Sequence, residues 1–304
     1  MLDSSLLPEA GETLRCGVHA RRHDYDPGGT AMSASTLLVA ELAGPWPKPV
    51  FEHPALTGLS ATIEMHSGTG RILAAVPPLG SHELRLHRFD RGLDGALAMT
   101  HVAETPDDIR SLISATTALD AIPAEAVLVT EPVVLLCTQG THDVCCGIEG
   151  TRLALELEQA GFNVMRVSHT GGHRFAPTAL TLPSGRMWAY LDAPLLAGII
   201  KQTLDPAHAA ALCRGWWGAA PGAAQAAERA VFAQVGWAWE RMARSVALQD
   251  QDGARSLWSV TGNGATWHVR TEPGRTVPVL ACRASGGLPA KEATEYSAVV
   301  VARP

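Results

Sequence analysis

The sequence predicts an α/β protein, and three observations carry that reading. Short apolar runs rich in Val, Leu and Ile alternate with stretches of helical periodicity. Gly and Pro cluster between them, as at Gly44-Pro45-Trp46-Pro47 and Pro183-Ser184-Gly185. Over residues 125–208 the element order is β-α-β-β-β-α, its first two strands joined through a helix, which is a thioredoxin-like arrangement. The expected plan is an extended lead-in over 1–33, a smaller α/β domain over 34–124, the thioredoxin-like domain over 125–208, and a small α+β region over 209–304.

Residues 1–33 are polar and Pro/Gly-rich, which predicts an extended or poorly ordered start. Thr36 to Leu42 reads as a first strand. Residues 53–66 carry Leu56, Leu59 and Ile63 at helical spacing. Arg71 to Val76, His82 to Phe89 and Ala96 to Val102 read as strands. Pro106 to Leu119 is a helix with Thr105 as N-cap and Asp107-Asp108 in the first turn, where they complement the helix dipole.

Pro132 to Cys137 is a buried strand. Ile148 to Gly161 is an amphipathic helix, with Gly161 placed to cap its end. Phe162 to Val167 is the next strand. Thr178 to Leu182 and Met187 to Leu191 form a hairpin, and Asp192 caps a helix from Ala193 to Leu204. An Ala-rich helix from 223 to 247 then leads into strands at 256–260, 265–270, 277–282 and 296–302. Trp216, Trp217, Trp237 and Trp239 are expected to pack at this junction.

Composition excludes several function classes. The chain has 304 residues, 46% hydrophobic and 18% charged, which is ordinary for a folded protein of this size. A net charge of -6 argues against a nucleic-acid binder and against a polybasic membrane anchor. No targeting or membrane-spanning pattern is evident, which predicts a cytoplasmic protein without nucleic-acid or membrane partners. Six cysteines are too few for a disulfide scaffold in a chain of this length. Cys137, Cys145 and Cys146 cluster; Cys16, Cys213 and Cys282 are scattered.

The clustered cysteines direct attention to one stretch. Cys137, Cys145, Cys146, His169 and His173 fall within 37 residues, in two loops that each follow a buried strand. Thiolates are soft donors and imidazole is borderline, so such loops can hold iron or zinc. The doublet Cys145-Cys146 sits at the start of a helix, where free N–H groups favour a thiolate. Gly171-Gly172 between the histidines argues against a helical zincin motif. Spacing alone leaves iron–sulfur, zinc and thiol redox chemistry open. No paired carboxylates suggest a glycosidase.

The motifs Cys137-x2-Gly140-x2-Asp143-x-Cys145-Cys146, Ser168-His169-x-Gly171-Gly172-His173-Arg174-Phe175-Ala176 and Leu182-Pro183-x-Gly185 resemble the sucrase/ferredoxin-like family. Gly29-Thr30-Ala31 and Leu37-Leu38-Val39-x-Glu41-x-x-Gly44-Pro45-Trp46 extend the resemblance upstream, and Cys282 extends it weakly downstream. It implies that the thioredoxin-like domain is a ferredoxin. It implies a [2Fe–2S] cluster on Cys137, Cys146, His169 and His173, with Cys145 as alternate ligand and His142, Asp143 and Arg174 around it. His142 departs from the family pattern, which has Arg there. The implied role is electron transfer between a redox donor and an acceptor, as a carrier or reductase component rather than a self-contained enzyme. The alternatives are a zinc-stabilised binding module and a thioredoxin-like thiol oxidoreductase.

Overall fold

A computed structural model describes residues 4–8, 15–59, 70–93, 95–117, 122–282 and 291–304. The fold is mixed α/β, with one large sheet and one small one. The large sheet is built from β1 (Thr36–Glu41), β2 (Gly70–Ala75), β3 (Leu84–Arg91), β4 (Ala96–Ala103), β5 (Val127–Leu128), β6 (Val133–Cys137), β7 (Val164–Val167), β8 (Ala179–Leu182), β9 (Arg186–Trp188) and β10 (Cys213–Trp216). Among the described residues its order is β10-β9-β8-β6-β7-β2-β1-β3-β4-β5.

This order reads the same from either edge. β6 runs parallel to β7, and β8, β9 and β10 follow antiparallel in turn. β1 runs parallel to β2, and β3, β4 and β5 follow antiparallel in turn. The halves meet where β2 and β7 pair antiparallel, Ala75 opposite Val167. Glu41 pairs with Ala75, and Cys137 pairs with Val167. Glu41 and Cys137, each the last residue of its strand, therefore occupy equivalent places.

Successive side chains on a strand face opposite ways, and β1 shows why all six of its residues are buried. Leu37 and Val39 enter one hydrophobic core, Leu38 and Ala40 another. The second core is closed by Ile109 and Ile113 of a helix at Pro106–Thr117. That helix starts in a reciprocal cap. Thr105 Oγ1 accepts the Asp108 N–H at 3.2 Å, and the Asp108 carboxylate accepts the Thr105 N–H at 2.9 Å. The first core takes Leu153, Ala154 and Leu157 from a helix at Thr151–Gln159.

The small sheet is an antiparallel meander of β11 (Arg244–Asp252), β12 (Arg255–Gly262), β13 (Ala265–Val279) and β14 (Lys291–Ala302). The helix Gly222–Val235 packs on it and also on β10. A buried ion cluster ties this region to β9. Arg186 grips Glu228 with two hydrogen bonds of 2.6 and 2.9 Å and donates to Glu240 at 2.8 Å. Trp239 Nε1 donates to Glu228 at 2.7 Å, and Arg244 reaches the same carboxylate at 3.2 Å.

The structure departs from the sequence expectation at several points. Cys16–Arg22 is a helix, although the composition of the first 33 residues suggested extended chain; Cys16, Gly17, His19 and Ala20 anchor it by burial. The Ala-rich helix stops at Val235, not 247, because Gly236 takes φ of +76°. The stretch 244–247 opens β11, a strand whose largely exposed residues lack buried alternation. The separate strands read at 265–270 and 277–282 are joined in β13 through a register shift near Pro273. The helix expected over 53–66 shows turns up to residue 58, and residues 60–69 lie outside the described ones. Trp216, Trp217 and Trp239 are buried in the main core, as the junction packing requires.

Candidate metal centre

The strand β6 ends on Cys137, whose N–H donates to Thr178 O at 3.1 Å. A fixed strand end sets the direction of the thiol. The chain then turns through Gln139 and Gly140 into the doublet Cys145-Cys146, and a π-helical turn, Cys146–Gly150, brings it back across the end of β6. Small residues make this close return feasible. A Cβ on Gly150 would fall 2.1 Å from Cys137 O, and one on Gly147 would fall 2.5 Å from Gly140 Cα.

The second loop follows β7. Its N-terminal anchor is the His169 N–H, which donates to Gln139 Oε1 at 2.9 Å. Gln139 Nε2 in turn donates to Pro47 O at 2.7 Å, so one buried side chain ties three loops together. Gly171 and Gly172 take φ of +83° and +67°, the left-handed region that admits glycine. Gly172 also leaves room for the buried Arg214, whose Nη1 donates to Gly171 O at 3.0 Å.

Two groups of donors result. Cys137, Cys146 and His169 bring one ligand atom each to within 4.8 Å of one another. Cys16, Asp143, Cys145 and Cys282 form a second group by the same measure. The doublet is thus divided: Cys146 faces Cys137, and Cys145 faces Cys16 and Cys282. His173 stands between the groups. Its ring centroid is 5.7 Å from that of His169, and its Nδ1 lies 3.3 Å from Asp143 and 3.7 Å from Cys16 Sγ.

The residues expected around the ligands separate in the same way. His142 stacks on His169 with centroids 3.5 Å apart and planes 14° apart. Burial, with the neighbouring His169 and Lys48, pulls His142 down to about 3, which keeps its ring neutral at pH 7. Asp143 is a buried hub. It accepts from the N–H groups of Cys145 and Cys282 at 2.9 and 3.1 Å. Burial pushes its carboxyl up, but His173 and the Cys282 N–H outweigh this and hold it below the usual range. Arg174 instead lays its guanidinium over Phe175 at 4.3 Å, and its Nε has no hydrogen-bond partner among the described residues.

Both groups concentrate negative charge on one sulfur. Hydrogen bonding with Cys146, aided by His169, holds the Cys137 thiol well below its usual range against burial, while the same bond and burial push Cys146 up. Hydrogen bonds with Cys16 and Cys282 hold Cys145 at about 4, and Cys282 is pushed up to about 11, chiefly by Cys145. Arg214, fully buried, is lowered to about 10 by desolvation. Sequence reading did not place Cys16 beside this loop. Cys16 and Cys282 are separated by 266 residues and share no local spacing with the doublet. Cys213 is buried in the main core against Arg186, apart from both groups.

A cavity of about 430 Å³ opens beside the centre, bordered by Gln139, His142, His169, Arg71 and Phe51. Among the described residues no helix is long and apolar enough to cross a membrane. No curated protein and no solved structure matches the chain. The family model described as sucrase/ferredoxin-like matches residues 29–215, a span running from the approach to β1 into β10 and enclosing the cysteine and histidine loops. With more than half of its length covered, the chain belongs to the sucrase/ferredoxin-like family.

Proposed function

We propose that the chain is an electron-transfer protein carrying a [2Fe–2S] cluster on Cys137, Cys146, His169 and His173, within a thioredoxin-like ferredoxin unit. The observation that carries this reading is the meeting of Cys137, Cys146 and His169, two thiols and an imidazole, at one point between two strand ends. Their softness fits iron and sulfide. The parallel β6–β7 pair with antiparallel β8 and β9 supports the thioredoxin-like assignment.

Two imidazole ligands in place of thiolates would raise the reduction potential relative to four thiolates, and the cluster, when bound, would supply one-electron transfer. The protein's own residues prepare the donors. Asp143 engages His173 through Nδ1 and so reserves Nε2 for ligation. Gln139 holds the backbone of His169, and His142 covers one face of its ring. Arg214 places a buried positive charge behind the glycine turn, which favours negative charge on the nearby sulfurs. The cavity beside His142 and His169 is the side on which a redox partner would approach.

Anaerobic purification followed by a visible spectrum and an iron and sulfide count tests this. The expected result is a coloured protein with equal iron and sulfide, lost in a His169→Ala, His173→Ala double variant. A colourless protein with zinc and no sulfide at Cys137 would instead identify a zinc-stabilised module.

A further inference from the structure

Apart from the Cys137 group, three thiols and a carboxylate from distant parts of the chain meet at one point. Cys16 opens the first helix, Asp143 and Cys145 lie in the cysteine loop, and Cys282 follows the end of β13. Cys145 Sγ is 3.1 Å from Cys282 Sγ, which is 3.4 Å from Cys16 Sγ. Asp143 Oδ1 is 3.4 Å from Cys16 Sγ. Backbone donors support negative charge here. The Cys16 N–H points at Cys282 Sγ at 3.3 Å, and two further N–H groups hold Asp143.

We infer that Cys16, Cys145, Cys282 and Asp143 form a second metal site, which binds a single Zn²⁺ ion. This inference does not depend on the cluster reading for Cys137. Three sulfurs and one oxygen suit zinc and exclude hard cations such as Mg²⁺. A tetrahedral ion with Zn–S bonds of about 2.3 Å sets sulfur–sulfur separations of about 3.8 Å. The sulfurs at 3.1 and 3.4 Å need to part by about 0.7 and about 0.4 Å. Four protein ligands close the coordination shell, the pattern of a structural site. On binding, each protonated thiol releases its proton, and no electron moves. Half-buried Cys282 leaves a path from solvent.

Such an ion fastens two segments far apart in sequence to the cysteine loop. It joins the helix Cys16–Arg22 and the tail of β13 to the segment that carries Cys146. It also fixes the carboxylate that engages His173.

The test is metal analysis of the full-length protein, purified reduced and without added zinc. One equivalent of zinc is expected, retained in Cys137→Ser and His169→Ala. In Cys16→Ser and Cys282→Ser, zinc affinity should fall by about tenfold or more, the cost that even outer partners of metal ligands show. Zinc affinity unchanged in those two variants, measured by competition with a chelator, overturns the site. So does iron with sulfide that tracks Cys16 and Cys282, or a Cys145–Cys282 disulfide in metal-free protein that gains no zinc after reduction. Should the serine variants fail to fold, ¹¹³Cd exchanged into the wild-type chain gives an independent reading. A cadmium resonance typical of three-sulfur ligation supports the site, and its absence refutes it. Failure of the cluster reading is separable, because iron and sulfide follow Cys137 and not Cys16.

Discussion

The Oε1 atom of Gln139 accepts the backbone N–H of His169 at 2.9 Å, so the loop after one strand is positioned by a side chain from the loop after another. Gln139→Leu removes that acceptor and leaves the His169 N–H and the Pro47 carbonyl without these partners, while Trp46 O keeps its bond from the Thr141 hydroxyl. The expected loss is about 1–3 kcal/mol, the usual penalty for an unsatisfied buried group. Urea unfolding measures it, and faster loss of colour to a chelator would show that the histidine loop has loosened. An unchanged midpoint and unchanged chelator kinetics would count against this role.

Gly150→Ala tests the close return of the chain over Cys137. The added methyl would sit 2.1 Å from Cys137 O, so backbone must shift. Overpacking of this kind costs about 1–3 kcal/mol. The shift displaces Cys146 relative to Cys137, so metal content should fall along with the melting temperature. Gly161→Ala, whose Cβ meets no atom within 4 Å but whose φ is +82°, should lower stability and leave metal content intact.

The ion cluster between β9 and the helix Gly222–Val235 gives a prediction about stability alone. Glu228→Gln leaves Arg186 and Arg244 buried with half their compensating charge. Breaking one partner of a buried pair costs about 3–5 kcal/mol. Denaturant unfolding should show this loss while the visible spectrum per folded molecule stays the same. A loss below about 1 kcal/mol would mean that the cluster is solvated or rearranges.

The Asp26–Arg229 pair predicts a pH dependence. Burial alone would raise the Asp26 carboxyl, but the Arg229 hydrogen bond and charge, with the Gly28 N–H, bring it below its ordinary value. A depressed carboxylate contributes stability that is fully present above the unfolded value of about 3.9 and fades as pH falls through the lower folded value. Asp26→Asn should therefore lower the melting temperature near neutrality and narrow its gap to wild type as pH falls below about 4. A gap that stays constant down to pH 2 would contradict the assignment.

The sequence announces the first donor group and names Cys145, Asp143 and Cys282 without joining them to Cys16 in a second, for a physical reason. Cys137 ends one apolar strand and His169 follows another, and parallel strands joined by a helix place their loops side by side. That inference needs only local pattern. Cys16 meets Cys145 because a short helix packs against the turn at His173, and Cys282 arrives through a fifteen-residue strand of the small sheet. Neither approach leaves a periodic trace. The overrun of the Ala-rich helix has a similar origin. Ala and Arg at 243–244 favour helix, yet a positive φ at Gly236 had already ended it, and pairing with β12 decided what followed. The split of the doublet was open in the sequence, since adjacent residues share a spacing to within one position. Only the helical turn starting at Cys146 sends their side chains to different partners.

The palindromic sheet sets Glu41 where the other half has Cys137. A carboxylate, buried and bonded to His87 at 3.2 Å, thus holds the place of a thiol. One scaffold carries two chemically opposed poles, a hard-oxygen end and a soft-sulfur end, across the seam at Ala75 and Val167. Each half is a natural control for the other: what the shared geometry alone confers must be present at both poles, and what belongs to sulfur must be confined to one.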